Sequence, residues 1–203
     1  MDYIQELKQD IRFIEGFNNC INCGTCTATC PAAAVMDYDP REIMDIVQQN
    51  DNLQIEVLLQ SDKIWYCGEC LSCKTRCPRD NSPCYVIQSL RYLSIVSGLY
   101  KQSREGQKQI ELKHKIIDQI LKTGYCIHID DINLAEHPEH SPLIDYLRID
   151  KIKKLKIAGS SYLENIKGGL RAIPKESIKE LQAIFDATGA TNYITSEKVT
   201  SNE

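Results

Sequence analysis

The stretch Cys67-Gly-Glu-Cys70-Leu-Ser-Cys73-Lys-Thr-Arg-Cys77-Pro78 decides how the rest of the chain is interpreted. The same spacing occurs once upstream, in Cys20-Ile-Asn-Cys23-Gly-Thr-Cys26-Thr-Ala-Thr-Cys30-Pro31. We call these stretches the second motif and the first motif. Both follow C-x2-C-x2-C-x3-C-P, the pattern that holds [4Fe–4S] clusters in bacterial ferredoxins. The repeat therefore predicts two [4Fe–4S] clusters, which would use eight of the ten cysteines.

The fourth cysteine of each motif is expected to bind the cluster of the other motif. In two-cluster ferredoxins, three closely spaced thiolates hold one cluster and the fourth ligates its neighbour. The predicted ligand sets are Cys20, Cys23, Cys26 and Cys77 for one cluster, and Cys67, Cys70, Cys73 and Cys30 for the other.

Structural zinc sites and disulfides are the alternatives that the cysteine count allows. Structural zinc is usually bound by two separated Cys-x-x-Cys pairs, whereas each motif places four cysteines within eleven residues. The amino terminus lacks the features of a signal peptide, so nothing marks the chain as secreted. The repeated motif therefore favours iron–sulfur clusters.

Composition is that of an ordinary globular protein, with 203 residues, 42% hydrophobic and 26% charged. No apolar run approaches the roughly 18 residues that a membrane-spanning helix needs, so we expect a cytoplasmic protein without a membrane span. The formal charge is −4, and two thiolate-bound clusters would lower it to about −8. This acidity argues against a nucleic-acid partner.

Apolar periodicity predicts a mainly α fold. We expect a helical ferredoxin domain over residues 1–105 and a loop-rich, helical extension over 106–203 that docks onto other subunits. The predicted features are a stripe of Ile4, Leu7, Ile11 and Ile14, a helix begun by Asp39-Pro40-Arg41-Glu42 and ended by Asn50, and helices over 53–60, 81–98, 103–122 and 174–188. A short extended segment at 125–129, a helix from Ser141 and a polar tail from Thr195 complete the extension.

Several residues near the motifs have expected supporting roles. Gly24 and Gly68 are predicted to adopt positive φ angles and to let backbone N–H groups approach the clusters. Trp65 and Tyr66 are predicted to shield a cluster from water. Candidate hydroxyl donors to sulfur are Thr25, Thr27, Thr29, Ser72 and Thr75.

Two further groups of residues could bind metal but have ordinary interpretations. Cys84 is predicted to be a buried free cysteine. Cys126, His128, His137 and His140 have side chains that suit zinc, but their spacing matches no usual zinc pattern.

The motifs also differ in charge. The first carries no charged side chain, whereas the second and the residue after it carry Lys74, Arg76 and Arg79 against Glu69. Positive charge favours the reduced form of a cluster, so we expect the second motif's cluster to be reduced first. The alternative is that these side chains face water, which screens them, and form a docking patch for an acidic partner.

The segments Asp39-Pro-Arg-Glu-Ile43, Ile64-Trp-Tyr-Cys67 and Cys73–Arg79 resemble the C subunit of heterodisulfide reductase. The resemblance covers about residues 15–100 and implies an all-helical ferredoxin with two [4Fe–4S] clusters. It also implies a relay between an A-type subunit, which carries flavin and clusters, and a cysteine-rich, catalytic B-type subunit. The B-type motifs do not occur in the chain, so no catalytic residue is expected.

The resemblance leaves the substrate of the complex open. One version of the family reduces a heterodisulfide in methane-forming archaea. The other belongs to sulfur metabolism in sulfur-oxidising prokaryotes and works with a lipoate-bearing carrier protein. The region after residue 105 favours the second version slightly.

Two other functions compete with this one. The iron–sulfur subunit of a succinate or fumarate oxidoreductase shares the helical ferredoxin half, but it needs an amino-terminal [2Fe–2S] domain. Only nineteen residues precede Cys20, so we expect no such domain. A binding module with purely structural clusters is the third possibility, and it would show no reversible reduction.

Overall fold

The computed structural model describes residues 2–126, 135, 173–188 and 190–191. These residues form helices and connecting turns without a β-strand, which confirms the predicted mainly α class. The chain divides into two compact units, Met1–Glu111 and Leu112–Glu203. The different roles predicted for residues 1–105 and 106–203 stay predictions.

The first unit is built around one long helix. Its helices are α1 (Tyr3–Gln9), α2 (Ile11–Gly16), α3 (Thr25–Ala28), α4 (Pro40–Gln49), α5 (Asn52–Gln60) and α6 (Pro83–Val96), with 3-10 turns at Lys63–Trp65, Lys74–Arg76 and Leu99–Gln102. Helix α6 packs against α1, α2, α4 and α5. Its inner residues Val86, Ile87 and Leu90 are fully buried, so α6 forms the centre of the apolar core.

Helix α4 begins where the sequence predicts. The Asp39 carboxylate accepts hydrogen bonds from the backbone N–H groups of Arg41 (2.8 Å) and Glu42 (3.3 Å), and Pro40 occupies the first helical position. Asn50 ends the helix in the left-handed conformation, at φ 53°. The Glu42 carboxylate binds Lys63 Nζ at 2.7 Å, which links α4 to the turn before the second motif.

The predicted amino-terminal stripe reaches the core only in its first half; packing of its second half on a neighbouring subunit, the other role expected of it, stays a prediction. Asp10 adopts an extended conformation that ends α1, and its carboxylate accepts from Arg12 N at 2.8 Å to begin α2. This aspartate cap divides the expected single helix into two short ones. Leu7 is 2% exposed, but Ile11 and Ile14 are 62% and 55% exposed, so they lie outside the core.

Two more helices match the prediction. Helix α7 (Arg104–Thr123) is followed by Gly124 at φ 80°. Helix α8 (Lys175–Ala187) half-buries the predicted inner residues Ile178, Leu181 and Phe185. The helix predicted from Ser141 and the tail from Thr195 lie outside the described residues, as do nearly all of 125–172. None of the described helices has the length and apolarity needed to cross a membrane.

Candidate iron–sulfur centres

Two cavities in the first unit are lined by cysteines. The larger, cavity A, has a volume of about 140 Å³. Its cysteines are Cys30, Cys67, Cys70, Cys73 and Cys84, and its apolar lining includes Ala32, Tyr38, Tyr66, Leu71 and Ile87. Cavity A therefore combines three cysteines of the second motif with the last cysteine of the first.

Cavity B is the reciprocal arrangement. It has a volume of about 20 Å³ and is lined by Cys20, Cys23, Cys26 and Cys77, together with Gly24, Thr25, Arg41, Met44, Asn81 and Pro83. Here three cysteines of the first motif meet the last cysteine of the second. Pro83, the first residue of α6, lines both cavities, so the start of this helix lies between them.

Short helical turns carry the fourth cysteine of each motif away from the other three. Helix α3 (Thr25–Ala28) separates Cys23 from Cys30, and the 3-10 turn Lys74–Arg76 separates Cys73 from Cys77. These two turns pack against each other. Each turn therefore delivers its last cysteine to the neighbouring cavity.

The cysteine loops repeat an unusual backbone conformation. Asn22 and Gly24 have φ angles of 57° and 77°, and the equivalent residues Glu69 and Leu71 have 54° and 60°. Turns of this kind point successive N–H groups towards one side and make anion-binding concavities, including iron–sulfur sites. The predicted positive φ is therefore confirmed at Gly24 but wrong at Gly68, because the repeat places that conformation at Glu69 and Leu71.

Three of the five predicted hydroxyl donors lie against a cysteine sulfur. Thr25 Oγ1 is 3.3 Å from Cys23 Sγ, and Ser72 Oγ is 3.4 Å from Cys70 Sγ; both hydroxyls stand two residues after the second cysteine of their motif. Thr27 forms a side-chain hydrogen bond with Cys26 as well as with the Asp39 carboxylate. The other two bind backbone carbonyl groups, Thr29 that of Thr25 and Thr75 that of Ser72.

The thiols of cavity A are electrostatically unequal. A hydrogen bond from the Cys84 thiol lowers the pKa of Cys67 to about 6, against the opposing effect of burial, and the positive charge of Arg91 acts in the same direction. That hydrogen bond, together with burial, raises the pKa of Cys84, so Cys84 remains a protonated donor. In cavity B, burial raises the pKa of Cys26 to about 11.

Three residues around cavity A have roles that the sequence did not predict. Cys84 is 1% exposed, as predicted, but it also lines the cavity. Tyr38 is buried beside Tyr66, with the two rings edge to face at 6.4 Å, and burial raises the pKa of Tyr38. Arg91 binds the Cys67 carbonyl oxygen at 2.7 Å. Arg91 lies 24 residues after Cys67 in the sequence, and no pattern in the sequence connects it to either motif.

Of the remaining residues predicted to have a role near a cluster or a metal ion, one lines a cavity and the others do not. Tyr66 lines cavity A, as a shielding residue should. Trp65 is 2% exposed but belongs to the packing against Gly106 in α7. Cys126 is exposed, and the three histidines proposed beside it lie outside the described residues.

The donor chemistry of both cavities fits [4Fe–4S] clusters. Each cavity offers four thiols of the two motifs, and cavity A offers that of Cys84 as well. The loops that carry the motif cysteines present the concave backbone turns found at such sites. Within the described residues, no three His, Cys, Asp or Glu side chains form a group that could hold a single metal ion. The motif cysteines instead line two cavities, as expected of ligands that hold a cluster and not a single ion.

Comparison with known proteins gives the same class. Residues 16–81 match the family described as a 4Fe-4S dicluster domain. This part of the chain is therefore a dicluster ferredoxin domain, which binds two [4Fe–4S] clusters.

The curated relatives are more specific. The chain is 47% identical over 94 residues to the C subunit of ferredoxin:CoB-CoM heterodisulfide reductase from Methanosarcina acetivorans, which covers 45% of this chain and 36% of that protein. It is 36% identical over 92 residues to the C 2 iron-sulfur subunit of CoB–CoM heterodisulfide reductase from Methanocaldococcus jannaschii, covering 45% and 46%. A third relative, the C2 subunit of H(2)/formate:CoB-CoM heterodisulfide,ferredoxin reductase from Methanococcus maripaludis, is 29% identical over 119 residues, covering 58% and 57%.

The matches therefore span about a third to little more than half of these relatives. Within that span, the chain is similar to the C subunits of heterodisulfide reductases.

Proposed function

We propose that the chain is the electron-transfer iron–sulfur subunit of a cytoplasmic, heterodisulfide-reductase-like complex. The observation that supports this most is the pair of cavities, each lined by three cysteines of one motif and the last cysteine of the other. The proposed ligand sets are Cys67, Cys70, Cys73 and Cys30 in cavity A, and Cys20, Cys23, Cys26 and Cys77 in cavity B. The clusters, when bound, supply reversible one-electron storage.

The residues around the cavities suit a relay. Apolar and aromatic side chains, among them Tyr38, Tyr66 and Ile87, limit the access of water to cavity A. One cysteine of each proposed set is exposed, Cys70 for cavity A and Cys23 for cavity B. Each site therefore has one edge at the surface, where electrons could be exchanged with a partner. Because Pro83 lines both cavities, electrons would pass between neighbouring sites.

We infer that the partners are the other subunits of such a complex, an A-type subunit with flavin and clusters and a B-type subunit that acts on disulfides. The relatives, each named as the C-type subunit of a CoB-CoM heterodisulfide reductase, support this choice. A lipoate-bearing carrier protein as a further partner stays a prediction from the sequence.

Anaerobic purification followed by iron and sulfide analysis and EPR tests the proposal. We expect about eight irons per chain, since two clusters carry four irons each. A sample that contains zinc and little iron would contradict the assignment.

Alanine variants test the ligand sets. Cys30→Ala should remove the same EPR signal as Cys67→Ala, and Cys77→Ala the same signal as Cys20→Ala. The matched control is Cys126→Ser, because this exposed cysteine belongs to neither set; it should retain both signals. If Cys30→Ala instead removed the signal lost in Cys20→Ala, each motif would hold its own cluster.

A further inference from the structure

One face of α6 lies against cavity A and the loop of the second motif. Cys84 and Ile87 line the cavity, Gln88 Nε2 donates to Glu69 at 3.1 Å, and Arg91 binds the loop. The spacing of these positions, over two helical turns, places them on one side of the helix. This α6 face is therefore a second layer behind the proposed ligands of a single cavity.

Arg91 places a buried positive charge beside that loop. Its side chain is only 7% exposed. Its guanidinium donates to the carbonyl oxygens of Ile64 and Cys67, both at 2.7 Å, and to Glu69 Oε1 at 2.6 Å. The carbonyl contacts hold Cys67, and the planar fork of arginine makes all three bonds from one rigid group.

The negative partner of Arg91 offsets this charge only in part. The Glu69 side chain is 45% exposed, so water screens its charge more strongly than that of the buried guanidinium. Cavity A therefore lies in a net positive local field from this pair. A positive field stabilises the more negative, reduced form of an iron–sulfur cluster.

Cys84 adds a hydrogen-bond donor to the same side. It occupies the first turn of α6 and lines cavity A, and its thiol donates to the Cys67 sulfur. Its backbone N–H donates to the Cys73 sulfur. Hydrogen bonds to cluster sulfurs are among the features that set reduction potentials.

Cavity B has a weaker counterpart. Arg41 lines it, but its side chain is 44% exposed and pairs with the Asp39 carboxylate at 3.3 Å. Screening by water reduces the effect of such a charge. The two cavities are thus similar in their cysteines and different in what surrounds them.

We propose that Arg91 and Cys84 are positioning residues that raise the reduction potential of the cluster in cavity A above that of the cluster in cavity B. Electrons delivered to the protein would then settle first in cavity A. This inference rests on the proposed function, because it requires both clusters to be bound at the cysteine sets given above.

Redox titration followed by EPR tests the proposal on the full chain, with dithionite as reductant and ferricyanide as oxidant. The signal lost in Cys30→Ala identifies cavity A. In Arg91→Gln, the ratio of reduced to oxidised cluster in cavity A, at a fixed potential, should fall by about tenfold, as expected for loss of a charged hydrogen bond. This change corresponds to a shift of about 59 mV for a one-electron couple. Arg91→Lys, which keeps the charge, should recover part of the shift.

Two other substitutions keep the test decisive if Arg91→Gln does not fold. Glu69→Gln removes the opposing negative charge at a half-exposed position and should raise the potential of cavity A. Cys84→Ala, which loses the thiol donor, should lower it, whereas Cys84→Ser should stay close to the parent protein. Arg41→Gln is the control and should leave cavity A unchanged.

The outcomes separate this inference from the proposed function. If every variant keeps about eight irons and two EPR signals but the potential of cavity A does not move in these directions, the positioning role is wrong while the clusters remain. Equal shifts of both clusters would also overturn it. Absence of two clusters from the parent protein would instead refute the proposed function.

Discussion

Substitution of Gly16 by alanine perturbs the contact on which both cavities depend. Gly16 ends α2 and faces the first turn of α6, where its carbonyl accepts from Ser82 N at 2.8 Å. A Cβ atom at position 16 would lie 2.8 Å from Tyr85 Cβ and 3.0 Å from the Ser82 carbonyl oxygen. Both distances are shorter than ordinary van der Waals contact, so α2 and α6 would have to shift apart.

The expected effect follows from the kind of atoms involved. A Cβ atom and a backbone oxygen cannot move aside by side-chain rotation, and overpacking of this type costs about 1–3 kcal/mol. Alanine recovers up to about 1 kcal/mol of helix propensity, less here because Gly16 is the last helical residue. We therefore expect the free energy of unfolding to fall by about 1–2 kcal/mol. Because α6 begins between the two cavities, both clusters should become easier to lose.

Anaerobic urea unfolding of the cluster-loaded protein, followed by circular dichroism, measures this change, and iron analysis measures cluster retention. The matched control is Glu15→Ala, which introduces the same residue at the neighbouring, exposed position of α2. The control should stay within about 0.5 kcal/mol of the parent protein. If Gly16→Ala had the same midpoint and iron content as Glu15→Ala, the close approach of α2 to α6 would be refuted.

Three further substitutions test the surroundings of the site. Asp39→Ala removes the cap of α4 and should lower the free energy of unfolding by about 1 kcal/mol; it should also weaken iron retention, because Asp39 pairs with Arg41 in the lining of cavity B. The control Asp51→Ala removes the cap of α5 and should destabilise the protein without loss of iron. Equal iron loss in both variants would contradict the role of Asp39 at cavity B. Gly106→Ala would place a Cβ 2.8 Å from Trp65 Nε1 and should shift the fluorescence of this single tryptophan; an unchanged spectrum and midpoint would count against the packing. Ser103→Ala leaves the buried Gly106 N–H without its acceptor and should destabilise by about 1–3 kcal/mol in the same urea assay, whereas an unchanged midpoint would show that the bond is dispensable.

Helix starts and cavity membership could be predicted because local chemistry determines them. Asp39 followed by Pro40 satisfies the first N–H groups of a helix regardless of what packs on it. Apolar periodicity does not predict the break between α1 and α2, because it depends on the spacing of apolar side chains and is insensitive to a polar residue between them, here Asp10, that caps a new helix. The positive φ of Leu71 was missed for a related reason. Glycine is the usual signal for that conformation, and here the surrounding loop imposes it on a leucine.

The proposed order of the two reduction potentials depends on counting charges around each cavity and not within each motif. Lys74 and Arg76 suggested a higher potential for the second motif's cluster, yet Arg76 adjoins Cys77, which lines the cavity of the first motif. Lys74 Nζ lies 4.8 Å from the centre of the Tyr85 ring, where the aromatic face accounts for its position. The buried charge next to cavity A belongs to Arg91, 24 residues after the cysteine whose carbonyl it binds. We therefore keep the prediction that the cluster in cavity A is reduced first, but we base it on Arg91 and not on the charges of the second motif. The double substitution Lys74→Gln with Arg76→Gln should then change the potential of cavity A less than Arg91→Gln alone.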